Sequence, residues 1–127
     1  MIEKVMKNVK FYWLENCSTC KKAKNFIERH GIREFQLRDI KENPLSQEEI
    51  ENLAKILGGA DELFSRRAIK YRELKLNERQ LSTAEMFDFM TEEYTFLKRP
   101  ILVINNQAIA GFFERFWNAF LEENYYK

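Results

Sequence analysis

Two cysteines stand three positions apart in the run Cys17-Ser18-Thr19-Cys20, and they are the residues of this chain best suited to covalent chemistry. A cysteine reacts as the thiolate, so its surroundings decide whether it is a nucleophile or an inert apolar residue. The pair falls where an extended run, Val9-Lys10-Phe11-Tyr12-Trp13-Leu14, gives way to a helical pattern from Ser18 to His30. A helix N-terminus offers unpaired N–H groups and about half a positive charge, which favour a thiolate. Cys17 is therefore read as the exposed, attacking thiol at the helix cap. Cys20, one turn further on the same face, is read as the resolving thiol. Their spacing permits a disulfide within the chain, and Lys21 and Lys22 add positive charge.

Other uses of the pair fit less well. Free cysteines are often small buried apolar residues with no reaction to perform. A structural zinc site needs four ligands, and the chain holds 2 Cys and 1 His. His30 directly precedes Gly31 and reads as a helix cap, at the opposite end of the helix from Cys17, so neither a metal nor a Cys–His hydrolase is expected.

The elements that must position the cysteines follow from the pattern of the chain. The first strand, the helix and a second strand at Phe35-Gln36-Leu37-Arg38 make a right-handed βαβ unit with parallel strands. A helical stretch comes next. Ser46 with Glu49 opens a helix over Gln47 to Leu57, Gly58-Gly59 breaks it, and Asp61 to Leu76 reads as short helices and turns. Ser82 with Glu85 opens another helix, whose apolar side carries Met86, Phe89 and Met90. After Pro100, Ile101 to Ile104 and Ala108 to Ala110 form a hairpin around Asn105-Asn106. Past Gly111, a last helix carries Phe113, Phe116, Trp117, Phe120 and Leu121. The order is βαβ, helical insertion, ββα: an α/β, thioredoxin-like layer with its insertion between the second and third strands. The expectation is one domain over 1–127, with a helical lobe over about 42–97.

Composition narrows the function. Lys plus Arg is 21 against 20 for Asp plus Glu, a formal charge of +1, without the clustered basic excess of a protein that binds nucleic acid directly. No apolar run approaches the roughly 20 residues of a membrane span. The stretch 1–7 lacks the apolar core of a signal peptide, so a cytoplasmic location is expected. Thiols there are kept mostly reduced, and a Cys-x-x-Cys pair reads as redox-active rather than as a staple.

The cysteine run with Phe11-Tyr12-Trp13 before it, then Ser65-Arg66-Arg67, Tyr71-Arg72-Glu73-Leu74 and Lys98-Arg99-Pro100-Ile101-Leu102, resembles the arsenate reductase (ArsC)/Spx family from about Lys10 to Phe120. The resemblance implies a thioredoxin fold interrupted by a helical lobe, with Pro100 as the cis-proline that faces the cysteines. Arsenate reductases of this family attack arsenate with one cysteine, which Cys17 matches, and hold the oxyanion with three arginines. Arg67 matches the first and Arg99 the second, whereas Arg66 and Arg72 read as solvated surface. The third arginine falls on Phe112, with Arg115 one turn further on, so poor or absent arsenate turnover is expected. What the resemblance implies is a thiol–disulfide oxidoreductase or ArsC-like reductase without a bound cofactor, reduced by thioredoxin, glutaredoxin or glutathione. The alternative is an Spx-like redox-sensing regulator that binds the RNA polymerase α subunit, with Gly59 at the matching contact.

Overall fold

A computed structural model describes residues 7–126. Residues 1–6, which make up most of the N-terminal stretch assessed above for a signal peptide, and Lys127 lie outside the described residues. Four strands form one sheet in the order β2-β1-β3-β4. β1 (Val9–Trp13) runs parallel to β2 (Gln36–Asp39) and antiparallel to β3 (Ile101–Ile104), which pairs antiparallel with β4 (Gln107–Ala110). The central pair is in register at Phe11 with Leu102 and Tyr12 with Ile101. Asn105, in the left-handed region at φ 55°, turns the hairpin, and its amide donates to the Asn8 carbonyl at 2.8 Å. The topology is thioredoxin-like, as the element order implies.

Alternation along the inner strands separates two apolar layers. Val9, Phe11, Leu102 and Ile104 face α1 (Ser18–Arg29) and α6 (Glu114–Asn124), meeting Ala23, Phe26, Ile27, Trp117 and Leu121. Tyr12, Ile101 and Val103 face the insertion, meeting Ile50 and Leu53 of α2 (Gln47–Leu57), Leu63 of α3 (Ala60–Leu63), and Met86 and Met90 of α5 (Thr83–Glu92). Because β3 is covered on both sides, its sequence is continuously apolar. Trp117 and Leu121, four apart, turn the same side of α6 to the sheet. Phe116 lies about 100° around the helix from Trp117 and is 53% exposed; Phe113 precedes the first turn and is 63% exposed.

Local signals set the helix boundaries. Ser46 and Ser82 each accept from the amide three residues on, while Glu49 and Glu85 return to the cap amides. Arg38 of β2 also grips Glu49 and donates to the carbonyls of Asn43 and Pro44, tying a sheet edge to the start of α2. His30 caps α1, its Nδ1 2.8 Å from the Phe26 carbonyl, and Gly31 follows at φ +91°.

The insertion is laced to the segment that returns to β3. Phe64 stacks on Phe96 at 5.3 Å, the Ser65 amide donates to the Phe96 carbonyl at 2.7 Å, and the Lys98 amide donates to the Leu63 carbonyl at 2.8 Å. These bonds fix the approach to Arg99-Pro100. Removing a buried indole leaves a large void, so Trp117→Ala is expected to cost about 3–5 kcal/mol in urea unfolding. Ser82→Ala, which loses only a cap, is expected to cost about 1 kcal/mol. Comparable losses from the two changes would show that α6 does not carry the packing described.

Candidate active site

β1 ends at Trp13, and three hydrogen bonds then shape the first turn of α1. The Cys17 amide donates to the Leu14 carbonyl at 3.1 Å, its carbonyl accepts from the Lys21 amide at 3.0 Å, and its Sγ accepts from the Cys20 amide at 3.4 Å. Cys17 thus occupies the N-cap, in extended conformation, with its sulfur doing the work that a Ser or Asp oxygen usually does. No acidic residue stands in that first turn to oppose a negative sulfur.

The two thiols are free and occupy different environments. Cys20 is fully buried, and Cys17 is partly exposed. Partial burial pushes the Cys17 thiol up, but hydrogen bonds from the Cys20 thiol and amide, the Arg99 charge and the Thr19 amide outweigh it and hold Cys17 below the ordinary thiol range. Burial pushes the Cys20 thiol up to about 12, helped by its hydrogen bond to Cys17 and by the charge there, against the Leu14 backbone and Arg99. The arrangement favours one thiolate, on the accessible sulfur, with its neighbour holding a proton and donating to it.

The segment before β3 brings in the cation. The Arg99–Pro100 peptide bond is cis, and Pro100 is buried. Pro100 precedes Ile101, the partner of Tyr12, so it lies at the end of the sheet where β1 exits toward Cys17. Arg99 is half-buried and donates through Nη1 to the carbonyls of Leu97 (3.1 Å) and Thr95 (3.3 Å). Its Nε is buried and makes no hydrogen bond. An unmet buried donor of this kind costs about 1–3 kcal/mol.

The other residues singled out in the sequence fall at different places. Arg67 lies exposed just before α4 (Ile69–Glu73), its amide donating to Ser65 Oγ at 3.3 Å. Arg66 pairs with Asp61 at 2.7 Å, and Arg72 is exposed. Phe112 turns into the α1–α6 layer, with ring centroids 5.4 Å from Phe26 and 5.1 Å from Trp117. Arg115 lies exposed over the Phe116 ring at 5.0 Å. Gly59, at φ +143°, sits between α2 and α3, with open space where a Cβ would project. Among the described residues no three His, Cys, Asp or Glu side chains gather as a metal site, and no helix is long and apolar enough to cross a membrane. The contributions of the Leu14 carbonyl and the Thr19 amide have no sequence signature, because backbone groups are common to all residues.

Comparison with known proteins agrees with this fold. The sequence profile described as the ArsC family matches residues 12–120. The chain is 34% identical over 114 residues to YusI of Bacillus subtilis, a protein described as uncharacterized, covering 84% of this chain and 96% of that one. It is 31% identical over 104 residues to the global transcriptional regulator Spx of Lactiplantibacillus plantarum, covering 81% and 78%. The solved structure of an arsenate reductase from Vibrio cholerae superposes with a TM-score of 0.73 at 31% identity, covering 82% of this chain and 89% of that one.

The Arg99 charge can be tested directly. Arg99→Ala is expected to raise the Cys17 pKa, so iodoacetamide alkylation of Cys17 at neutral pH slows. Arg99→Lys, which keeps the charge, is expected to retain most of the rate. An unchanged rate in Arg99→Ala would remove Arg99 from the site.

Proposed function

Because this chain belongs to the ArsC family, we propose that it is a thiol-dependent oxidoreductase working through a Cys17–Cys20 dithiol–disulfide cycle. The observation that carries the reading is the asymmetry of the pair: an accessible thiol held low at a helix N-terminus, beside a buried thiol held high. In the cycle the Cys17 thiolate attacks one sulfur of a substrate disulfide. A mixed disulfide forms, and the first substrate thiolate leaves. Cys20 then loses its proton to solvent or to the departing thiolate and attacks the Cys17 sulfur. The second substrate thiolate departs, and two electrons have passed to the substrate as the Cys17–Cys20 disulfide forms. A thiol reductant of the thioredoxin, glutaredoxin or glutathione class returns the pair to the dithiol.

Buried Cys20 suits the second step. While Cys17 is a thiolate, Cys20 stays protonated and does not compete for substrate. Burial is the main cause that raises the Cys20 pKa; once Cys17 is spent in the mixed disulfide, the negative charge that added to it is gone. Arg99 and Pro100 would border the substrate, with the Arg99 charge beside the developing negative charge. Arg67, exposed and free of ion pairs among the described residues, would close on an anion from the insertion side. Phe112 fills the place of a third arginine with an aromatic ring packed into the core, which supports weak arsenate turnover.

A second reading is favoured by Gly59. Its open side fits contact with a protein partner such as the RNA polymerase α subunit, making the cysteine pair a redox sensor rather than a catalyst. Two assays separate the readings. With hydroxyethyl disulfide and a thiol reductant, the wild type is expected to turn over, Cys17→Ser to fall to background, and Cys20→Ser to accumulate a mixed disulfide seen by mass spectrometry. With purified polymerase α subunit, co-elution on gel filtration together with no disulfide turnover would reverse the order of preference. In an arsenate assay, wild-type turnover is expected to be poor or absent, and Phe112→Arg to raise it; robust wild-type turnover would show that the third arginine is dispensable.

A further inference from the structure

A groove of about 710 Å³ runs between α1 and the turn into α6, outside the cysteine site. Phe112 lines it, held by its contacts to Phe26 and Trp117. Lys22, Asn25 and Arg29 of α1 line it too, with Arg33 from the loop beyond. Two carboxylates, Glu28 and Glu114, complete the lining, and each already has a cation: Glu28 pairs with Lys24 at 3.2 Å and Glu114 with Arg29 at 3.8 Å. Lys22 and Arg33 are exposed and have no ion pair among the described residues, so the groove is left positive.

Beside the groove stand the exposed aromatics of α6. Phe113 and Phe116 meet edge to face with centroids 6.1 Å apart, and Phe113 is joined in the chain to two groove residues, Phe112 and Glu114. Adjacent exposed aromatics next to unpaired cations are what protein interfaces use as anchors. The groove shares α1 with the cysteines. Lys22 lies two residues beyond Cys20, and Phe112 follows Gly111, whose amide donates to the Pro100 carbonyl at 2.9 Å.

From this juxtaposition we infer that the groove docks an extended acidic segment of a protein substrate, in which carboxylates flank an aromatic or aliphatic side chain near the disulfide offered to Cys17. The segment's carboxylates pair with Lys22 and Arg33, and its apolar side chain covers Phe112 and Phe113. Nucleic acid is the poorer fit, because the unpaired cations are few and two carboxylates line the same groove. The inference names the substrate of the redox site and rests on that reading, while docking itself needs only charge and apolar contact.

The test uses the full chain and a fluorescein-labelled peptide of alternating Glu and Phe without cysteine, followed by anisotropy at low salt. Saturable binding is expected, with a Lys-for-Glu version about five- to tenfold weaker, as two partly screened ion pairs imply. The double variant Lys22→Glu/Arg33→Glu is expected to erase that preference, and Phe113→Ala to weaken binding of the acidic peptide. Lys55→Glu, exposed on α2 across the sheet, makes the same charge reversal as either single substitution and is expected to leave the preference in place. Equal binding of the two peptides, an equal loss in Lys55→Glu, or tighter binding of a single-stranded oligonucleotide would overturn the inference. Kinetics with the same sequences placed beside a disulfide separate the two readings. Failure to reduce even hydroxyethyl disulfide would sink the redox cycle while the anisotropy result stands, and reduction without preference for the acidic peptide would sink the docking alone.

Discussion

Stabilisation of negative charge on one sulfur is the interaction around which this fold is arranged. It depends on a helix N-terminus placed at the end of a central strand, because only there do several backbone amides converge without partners of their own. β1 supplies the rigid end, with both faces of the sheet covered and neighbours on both sides. The bond from the Cys17 amide to the Leu14 carbonyl fixes the turn, and the Cys20 and Thr19 amides face the sulfur. Without that frame, Cys17 would be an ordinary surface thiol.

The insertion serves the same end from the other side. A chain of 127 residues could build the four-stranded layer with far fewer, yet the segment between β2 and β3 carries four helices, α2 to α5, and two short 3-10 turns. Stacking of Phe64 on Phe96 and the bonds from Ser65 and Lys98 couple the lobe to the residues just before Arg99. The cation therefore arrives on a segment held at both ends, by the lobe core and by β3. That is how a half-buried guanidinium can keep one donor without a partner: the surrounding packing and the two carbonyl bonds of Nη1 set its position.

Much of this was legible in the sequence wherever the determining contacts are local. The two Ser-x-x-Glu boxes, Gly31 and Gly58 past helix ends, and the cysteine pair at a strand–helix junction all act within four residues. The apolar run Ile101 to Ile104 announced a strand, which the structure buries on both faces. What escaped depends on phase or on long-range contact. The aromatic last helix splits into Trp117 inside and Phe116 outside by one step of 100°. The grip of Arg38 on Glu49 spans eleven residues and two elements, and Phe112 packs on a helix more than eighty residues away. Arg67 and Arg99 lie in separate motifs that the resemblance reads alike, but of the two only Arg99 acts on the cysteines through its charge in this structure.

The central claim is that the two thiols titrate far apart and in a fixed order, and NMR of the chain labelled at cysteine Cβ observes both at once. The account predicts that the Cys17 Cβ resonance shifts through a midpoint clearly below the ordinary thiol value of about 8.5. The Cys20 resonance should stay unmoved until the solution is strongly alkaline, and should titrate earlier when Cys17 is replaced by Ser. Two overlapping midpoints at the ordinary value, or Cys20 titrating first, would contradict it.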